Sequence, residues 1–211
     1  MLLAFDTASP AVTVAVADGE HVLASTTTVD ARRHGELLAP AIVSVLAEAG
    51  VDRRDLTAIA VGVGPGPFTG LRVGLVTART LGAVLLVPVL GVCTHDHLAL
   101  ASGLTGAFRV VTDARRKEVH WSAYETDEYA RPWRVEGPHV QRPDDAAWAG
   151  PAVGDGARLY PECFPGGREQ LHPSAAALAT WVARGLPTVE PNPLYLRRPD
   201  VAEPTARKSV L

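Results

Sequence analysis

The apolar positions of this chain follow two rhythms, and the N-terminal half alternates between them. Leu2 to Phe5 is a short apolar run stopped by Asp6-Thr7-Ala8-Ser9-Pro10, the pattern of a buried strand ending in a polar turn. Val12, Val14 and Val16 then alternate with small residues, Asp18-Gly19 is a two-residue hairpin signal, and the run His21 to Val29 predicts the returning strand. From Gly35 to Gly50 the period changes. Leu38, Ile42, Val45, Leu46 and Ala49 recur at helical spacing, Gly50 stands where a left-handed C-terminal residue belongs, and Pro40 falls in the first turns, where it is tolerated. Leu56 to Val63 predicts a buried strand, Leu71 to Leu86 a long helix and Pro88 to Val92 a further strand, giving the order β-β-β-α-β-α-β.

A second section repeats the opening in reduced form. After a small helix near Thr94 to Ala101, Phe108 to Thr112 predicts a strand ending at Asp113, and Glu118 to Tyr124 alternates as its partner. Arg131 to Gly167 is rich in Pro, Gly and Asp with only short apolar runs, and Gly154-Asp155-Gly156 could supply a later backbone approach to a phosphate, although a single GDG is usually just a turn. Ser174 caps a last helix running to Arg184, and Pro187 to Leu211 is expected to be an extended tail, frayed at Ala206 to Leu211. The division suggested is 1–102 and 103–211.

The densest signal is GVGPGPFTGLRVGLVTARTLG, Gly62 to Gly82, which dictates a strand, a tight glycine loop and a helix in succession. Such a loop lets an anion approach backbone N–H groups at the positive end of a helix dipole. A packing turn that simply needs glycine has the same pattern, and the loop matches neither GxxxxGK[ST] nor a clean GxGxxG.

Composition then narrows the function classes. With 47% hydrophobic and 20% charged residues the chain can bury a core, and a net charge of −3 gives no general attraction to nucleic acid or a membrane. The arginines come in isolated pairs, such as Arg32-Arg33 and Arg115-Arg116, rather than in a stripe. Two cysteines, Cys93 and Cys163, argue against a disulfide scaffold and a four-ligand zinc site. No targeting segment is expected, and the apolar run Leu81 to Val92 is shorter than a span of ~20 residues and carries Pro88, so a cytoplasmic protein is expected.

Three sets of residues invite chemistry. Asp6, Thr7 and Ser9 could hold a hydrated magnesium ion and a phosphate, or Asp6 could simply bond the backbone of its own bend. His95 and His97 tempt a metal, but on a helix residues two apart point about 200° away from each other, so helix-cap or surface histidines are expected and no metal. His34, Glu36 and Asp113 could be imagined as an acid/base set, although no spacing selects them. The sequence lacks HExxH, GxSxG and a second glycine-rich phosphate loop, which weighs against a stand-alone ATPase, kinase or metallopeptidase.

FDTAS, HGELLAP, AIAVGVGPGPFTGLRVGLVTARTLG, TDARRKEVHWSAY and NPLYLR, in that order, resemble the TsaB (YeaZ-like) family over most of the chain. The resemblance implies an α/β protein with the actin-like, Hsp70-like ATPase fold, two RNase H-like subdomains with mixed sheets, the second reduced. It implies a non-catalytic subunit that pairs with TsaD and, with a TsaE-like ATPase, supports threonylcarbamoyl modification of adenosine beside the tRNA anticodon, with tRNA met only through the complex. It implies no cofactor on the chain alone and leaves ATP or ADP and magnesium to the interface of the complex. Any nucleotide contact would fall on Asp6, Thr7, Gly64, Gly66, Phe68, Thr69, Gly70 and Asp113, with ATP bound weakly or not at all and not hydrolysed.

Both long helices are nearly free of charge. Leu71 to Leu86 carries only Arg72 and Arg79, and Gly35 to Ala49 only Glu36 and Glu48. Leu38, Ile42, Val73, Val76, Thr77 and Thr80 are therefore expected in an apolar interface, with Gly74, Ala78, Gly82 and Ala83 letting a partner helix approach. The same patch meeting its own copy predicts a homodimer of the isolated chain.

Overall fold

Strands β1 (Leu2–Asp6), β2 (Ala11–Asp18) and β3 (His21–Val29) form an antiparallel meander, and β4 (Ala58–Gly62) and β5 (Val89–Val92) extend it in parallel on the other side of β1. The resulting sheet has the order β3-β2-β1-β4-β5. Helices α1 (His34–Ala49) and α2 (Phe68–Leu85) supply the crossovers and cover one face of it. The computed structural model describes residues 1–169 and 172–197.

The second sheet repeats this plan. Strands β6 (Phe108–Asp113), β7 (Val119–Thr126) and β8 (Pro132–Gln141) are antiparallel, and β9 (Pro151–Val153) and β10 (Gly166–Gly167) add in parallel beside β6. Its order, β8-β7-β6-β9-β10, is that of the first sheet strand for strand. Where the first half has a long helix before its fourth strand, the second has only a three-residue 3-10 turn, Asp144–Ala146; the helix after β9, α4 (Asp155–Leu159), has five residues. Two RNase H-like sheets in tandem, the second with shortened helices, are the actin-like arrangement.

The last helix of each half lies on the other half. Helix α3 (Thr94–Ser102) follows β5, yet Leu98 and Ala99 pack with Phe108, Val110, Tyr124 and Val153 of the second sheet. Helix α5 (Ala175–Ala183) follows β10, yet Ala175, Leu178, Ala179 and Trp181 pack on Ala4, Ala15, Ala17, Ala60 and Val92 of the first. Ser174 caps α5 by accepting from Ala177 N, and Ala175 N donates to Thr13 Oγ1 at 2.9 Å, which seats the helix on β2. Beyond α5 the tail forms a bridge between Val189 and Gly91, and Leu194 N donates to Val63 O at 2.8 Å, so it lines the free edge of β5. The residues expected to fray, Ala206 to Leu211, lie outside the described residues.

Four expectations change. Helix α2 starts at Phe68 rather than Leu71, because Gly70 is a helical residue selected by contact: a Cβ there would stand 2.3 Å from Thr7 O. Strand β8 occupies part of the stretch expected to be irregular. Gly137-Pro138 interrupts its alternation, which an edge strand with register shifts opposite Ala123 tolerates. Leu38 and Ile42 are buried against the first sheet rather than turned to a partner, since the i, i+4 stripe of α1 faces its own core. Gly74, Ala78 and Gly82 are likewise buried; a Cβ at Gly74 would meet Thr7 Oγ1 at 2.6 Å and one at Gly82 would meet Val89 at 2.4 Å. They admit the protein's own sheet, not a partner helix.

Candidate functional site

The ends of β1 and β6 face each other across the cleft between the halves, and each carries an aspartate. Asp6 is fully buried. Its Oδ1 accepts from Ala8 N at 2.6 Å, and its Oδ2 accepts from Thr94 Oγ1 at 2.7 Å and from His97 Nε2 at 2.9 Å. Burial alone would raise this carboxyl. The hydrogen bond and charge of His97, helped by Thr94 and the Ala8 N–H, hold it below the ordinary carboxylate value. The carboxylate thus works as an internal anchor, tying the start of α3 to the end of β1. Thr94 extends the anchor to the glycine loop: its hydroxyl accepts from Gly64 N at 3.1 Å, and its own N–H donates to Gly64 O at 2.7 Å.

The glycines of that loop are explained by close packing. A Cβ on Gly62 would stand 1.7 Å from Asp6 Oδ2, and one on Gly66 1.8 Å from Ala8 O. Thr7 donates its hydroxyl to Gly70 O at 2.7 Å. The turn after β1 therefore lies directly on the loop before α2. Asp6 and Thr7 are buried, Gly64 with them, while Gly66 lies half-buried and Phe68 and Thr69 reach solvent.

The second half contains a counterpart of this arrangement. Asp113 ends β6 as Asp6 ends β1, and Gly154-Asp155-Gly156 follows β9 as the glycine loop follows β4. A Cβ on Gly154 would stand 2.1 Å from Val111 O and one on Gly156 2.8 Å from the carbonyl carbon of Thr112, while Asp155 Oδ1 accepts from Asp113 N at 3.0 Å. Of the two readings of this motif, the structure favours the backbone approach: it repeats the place of the first loop in the second half. The space left between the two constellations, bounded by Ser9, Pro67, Asp113 and Asp155, is about 10 Å³. That is room for about one water molecule, and a cavity of about 500 Å³ that shares Pro67, Asp113 and Arg115 adjoins it.

His95 and His97 are neither caps nor surface residues; both are completely buried. His95 shares hydrogen bonds with Ser122 Oγ at 2.8 Å and Thr112 Oγ1 at 2.9 Å, and burial pushes its ring well below the ordinary histidine value. Opposite directions along the helix suit them to opposite partners, His95 the second sheet and His97 the first. Asp96 between them accepts from Tyr124 OH at 2.6 Å, with Arg134 Nε at 3.3 Å. Among the described residues no group of three His, Cys, Asp or Glu side chains is placed to share a metal ion. His34 donates to Ser9 O at 2.7 Å and Asp113 pairs with Arg115 at 3.3 Å, so the imagined acid/base set has separate partners.

The remaining feature is the outer surface of α1 and α2. The two helices lie side by side on the sheet, and their outward sides present Val43, Val76 and Val84 at 67%, 60% and 73% exposure. Thr80 is exposed beside them, and Val73 and Thr77 are half-buried. Arg79 turns to the tail, donating to Pro191 O and Asn192 Oδ1 at 2.6 Å each, and Arg72 lies over the Phe68 ring and donates to Tyr195 OH. Among the described residues the tail thus takes up the two cations of α2 and leaves the valines uncovered. By length and composition α2 could cross a bilayer, but Gly70, Leu71, Gly74, Leu75, Ala78 and Gly82 seat it on its own sheet.

Comparison with known proteins places this geometry. Residues 21–142 match the family model described as TsaD, tRNA N6-adenosine threonylcarbamoyltransferase. An uncharacterized protein of Mycobacterium tuberculosis is 42% identical over 97% of this chain and 95% of its own length. The tRNA threonylcarbamoyladenosine biosynthesis protein TsaB of Escherichia coli is 36% identical over 60% of this chain and 56% of its own length. YeaZ from Pseudomonas aeruginosa superposes with a TM-score of 0.79 at 31% identity, covering 92% of this chain and 99% of that one. With the motifs, the doubled sheet order and these relatives in agreement, the chain belongs to the TsaB (YeaZ-like) family.

Proposed function

We propose that this chain is a non-catalytic accessory subunit in the biosynthesis of threonylcarbamoyladenosine in tRNA, working in the cytosol by pairing with a TsaD-like catalytic subunit through the outer faces of α1 and α2. The observation that carries the reading is the uncovered apolar surface around Val43, Val76, Thr80 and Val84, which holds no charged residue between Arg72 and Arg79 on α2 and none between Glu36 and Glu48 on α1. The TsaB relatives, named for the same biosynthesis, support it. So does the buried Asp6, whose carboxylate is already taken up by Ala8, Thr94 and His97. A TsaE-like ATPase then joins the pair, and tRNA is met through the complex.

Isolated, the chain dimerises through the same patch, because a two-fold axis lets one apolar surface meet its copy. A standard specific interface needs about 800 Å² from each partner, an area within the reach of two helices. Val76→Glu places a charge in the patch without touching the core. It is expected to abolish both the homodimer, read by light scattering, and the association with a TsaD-like protein, with an unchanged circular dichroism spectrum. A folded Val76→Glu protein that still forms both assemblies would place the interface elsewhere.

A further inference from the structure

The edge of a sheet is a row of unpaired backbone N–H and C=O groups, and folded proteins cover it, shorten it or blunt it. Among the described residues, three of the four sheet edges are treated in this way. The tail lies along β5 through the bridge between Val189 and Gly91. Strand β8 carries Gly137-Pro138 and two register shifts, and β10 has only two residues. Strand β3 is the exception. It stands at the outer end of the first sheet, is nine residues long, and its sequence HVLASTTTV contains no Lys, Arg, Asp, Glu, Pro or Gly.

The geometry of β3 suits it to accept a further strand. Its one register shift lies near its start, opposite Val16 and Ala17, and from Ala24 to Val29 its pairing with β2 is uninterrupted. Asp30 N donates to Pro10 O at 2.8 Å just beyond the strand. Alternation along an antiparallel pair then turns the N–H and C=O groups of Thr26 and Thr28 toward β2 and those of Ser25, Thr27 and Val29 outward. Helices α1 and α5 lie against the two faces of β3, which fixes the strand without closing its edge. Ser25, Thr27, Thr28 and Val29 are exposed.

We infer that β3 is a docking edge for a second copy of this chain, the two strands pairing antiparallel so that their five-stranded sheets become continuous. A two-fold axis produces that pairing, and a strand with no charge meets its own copy without like charges opposed. The ends are complementary as well. Glu20 is taken up by Arg184 and Asp30 by Arg33, which leaves Asp18 before the strand and Arg32 after it. Antiparallel pairing lays the acidic start of one strand beside the basic end of the other. The contact uses no residue of the Val43, Val76 and Val84 surface and requires no TsaD-like partner. One strand ladder buries less than a standard interface, so the association is expected on the order of 0.1 mM, well above the concentrations at which the α1–α2 surface is assayed.

The test uses the full chain carrying Val76→Glu, followed by sedimentation from about 1 μM to about 1 mM and by amide hydrogen exchange at each concentration. A dimer is expected at the upper end, with exchange at the Ser25, Thr27 and Val29 amides slowing as it forms. Adding Ser25→Lys sets two like charges near the two-fold axis and is expected to weaken the dimer by about tenfold or more with an unchanged circular dichroism spectrum. Ser25→Thr retains it, and Gln141→Lys, on the edge of the other sheet, has no effect. A protein that stays monomeric throughout, with exchange at the three amides independent of concentration, overturns the inference. So does a concentrated dimer that Ser25→Lys leaves intact, and so does full protection of those amides at the lowest concentration, since the chain would then cover the edge itself. Because the amides report on β3 alone, failure of the α1–α2 reading would leave this result interpretable.

Discussion

Asp6→Ala separates an anchoring carboxylate from a ligand-holding one. The carboxylate is fully buried and accepts three hydrogen bonds, from Ala8 N, Thr94 Oγ1 and His97 Nε2. Removing it strands three buried donors, each worth about 1–3 kcal/mol when unsatisfied. The Thr94 hydroxyl can turn to another acceptor, so the net loss falls near the about 3–5 kcal/mol typical of breaking a buried pair by deleting one member. At about 2–4 °C per kcal/mol for a chain of this size, the melting temperature drops by roughly 6–20 °C. Urea unfolding followed by far-ultraviolet circular dichroism at neutral pH measures the loss, and Asp6→Asn, which keeps the volume and one acceptor oxygen, should cost less. A ligand-holding aspartate would give the opposite result, since relieving unpaired negative charge leaves stability unchanged or higher. If Asp6→Ala unfolds within about 1 kcal/mol of the parent protein, the anchoring role is refuted.

The buried histidines make stability depend on pH. His120 is held down to about 4 and His95 well below 6.5, both by burial, so between 6.5 and 4 the unfolded chain takes up protons that the folded one refuses. Stability is then complete above 6.5 and falls as the pH drops toward 4, whereas the Asp6 contribution is lost only as the pH falls below 3.8, through its lowered value; a urea midpoint constant between neutral pH and 5 would contradict the histidine assignment. Gly66→Ala, whose Cβ would stand 1.8 Å from Ala8 O, should destabilise by about 1–3 kcal/mol, while Gly35→Ala, in open space on α1, should stabilise by about 0.5–1 kcal/mol. Differential scanning calorimetry compares the two. Arg79→Ala should leave the melting temperature nearly unchanged, since the residue is exposed, yet speed proteolysis of the tail by releasing Pro191 and Asn192.

The hydrophobic rhythm announced the first half well, because its strands alternate or run apolar and its helices are long enough for their period to show. The second half was harder to read. Its helices have shrunk to a five-residue turn and a 3-10 turn, and β8 carries a Gly-Pro pair that removes the usual strand signature. Residue spacing ruled correctly that His95 and His97 do not converge on one point, but it could not show that each faces a different sheet. That required knowing that α3 lies between the sheets. Charge counting located the bare surfaces of α1 and α2 and could not sort their residues: Val76 and Thr80 point outward, whereas Leu38 and Ile42 point in. A cavity of about 500 Å³ lined by Phe68, His120 and Tyr195 draws on three distant segments, and no local pattern could assemble it.

The exchange of α3 and α5 between the halves bears on how the chain is made. On the ribosome the first sheet emerges long before α5, so Ala4, Ala15, Ala17, Ala60 and Val92 have no cover until Ala175, Leu178, Ala179 and Trp181 have been synthesised. During that interval α3 is equally idle, because its partners Phe108 and Tyr124 follow it in the sequence. Neither half can complete its core from its own residues, and the decisive contacts join positions more than a hundred residues apart, as between Thr13 and Ala175. Loop closure over such distances slows folding, so the nascent chain exposes an aggregation-prone alanine- and valine-lined face for most of its translation. A cut at the boundary between the sheets yields two fragments that each lack a helix, and their solubility should be restored by co-expression rather than by expression of either alone.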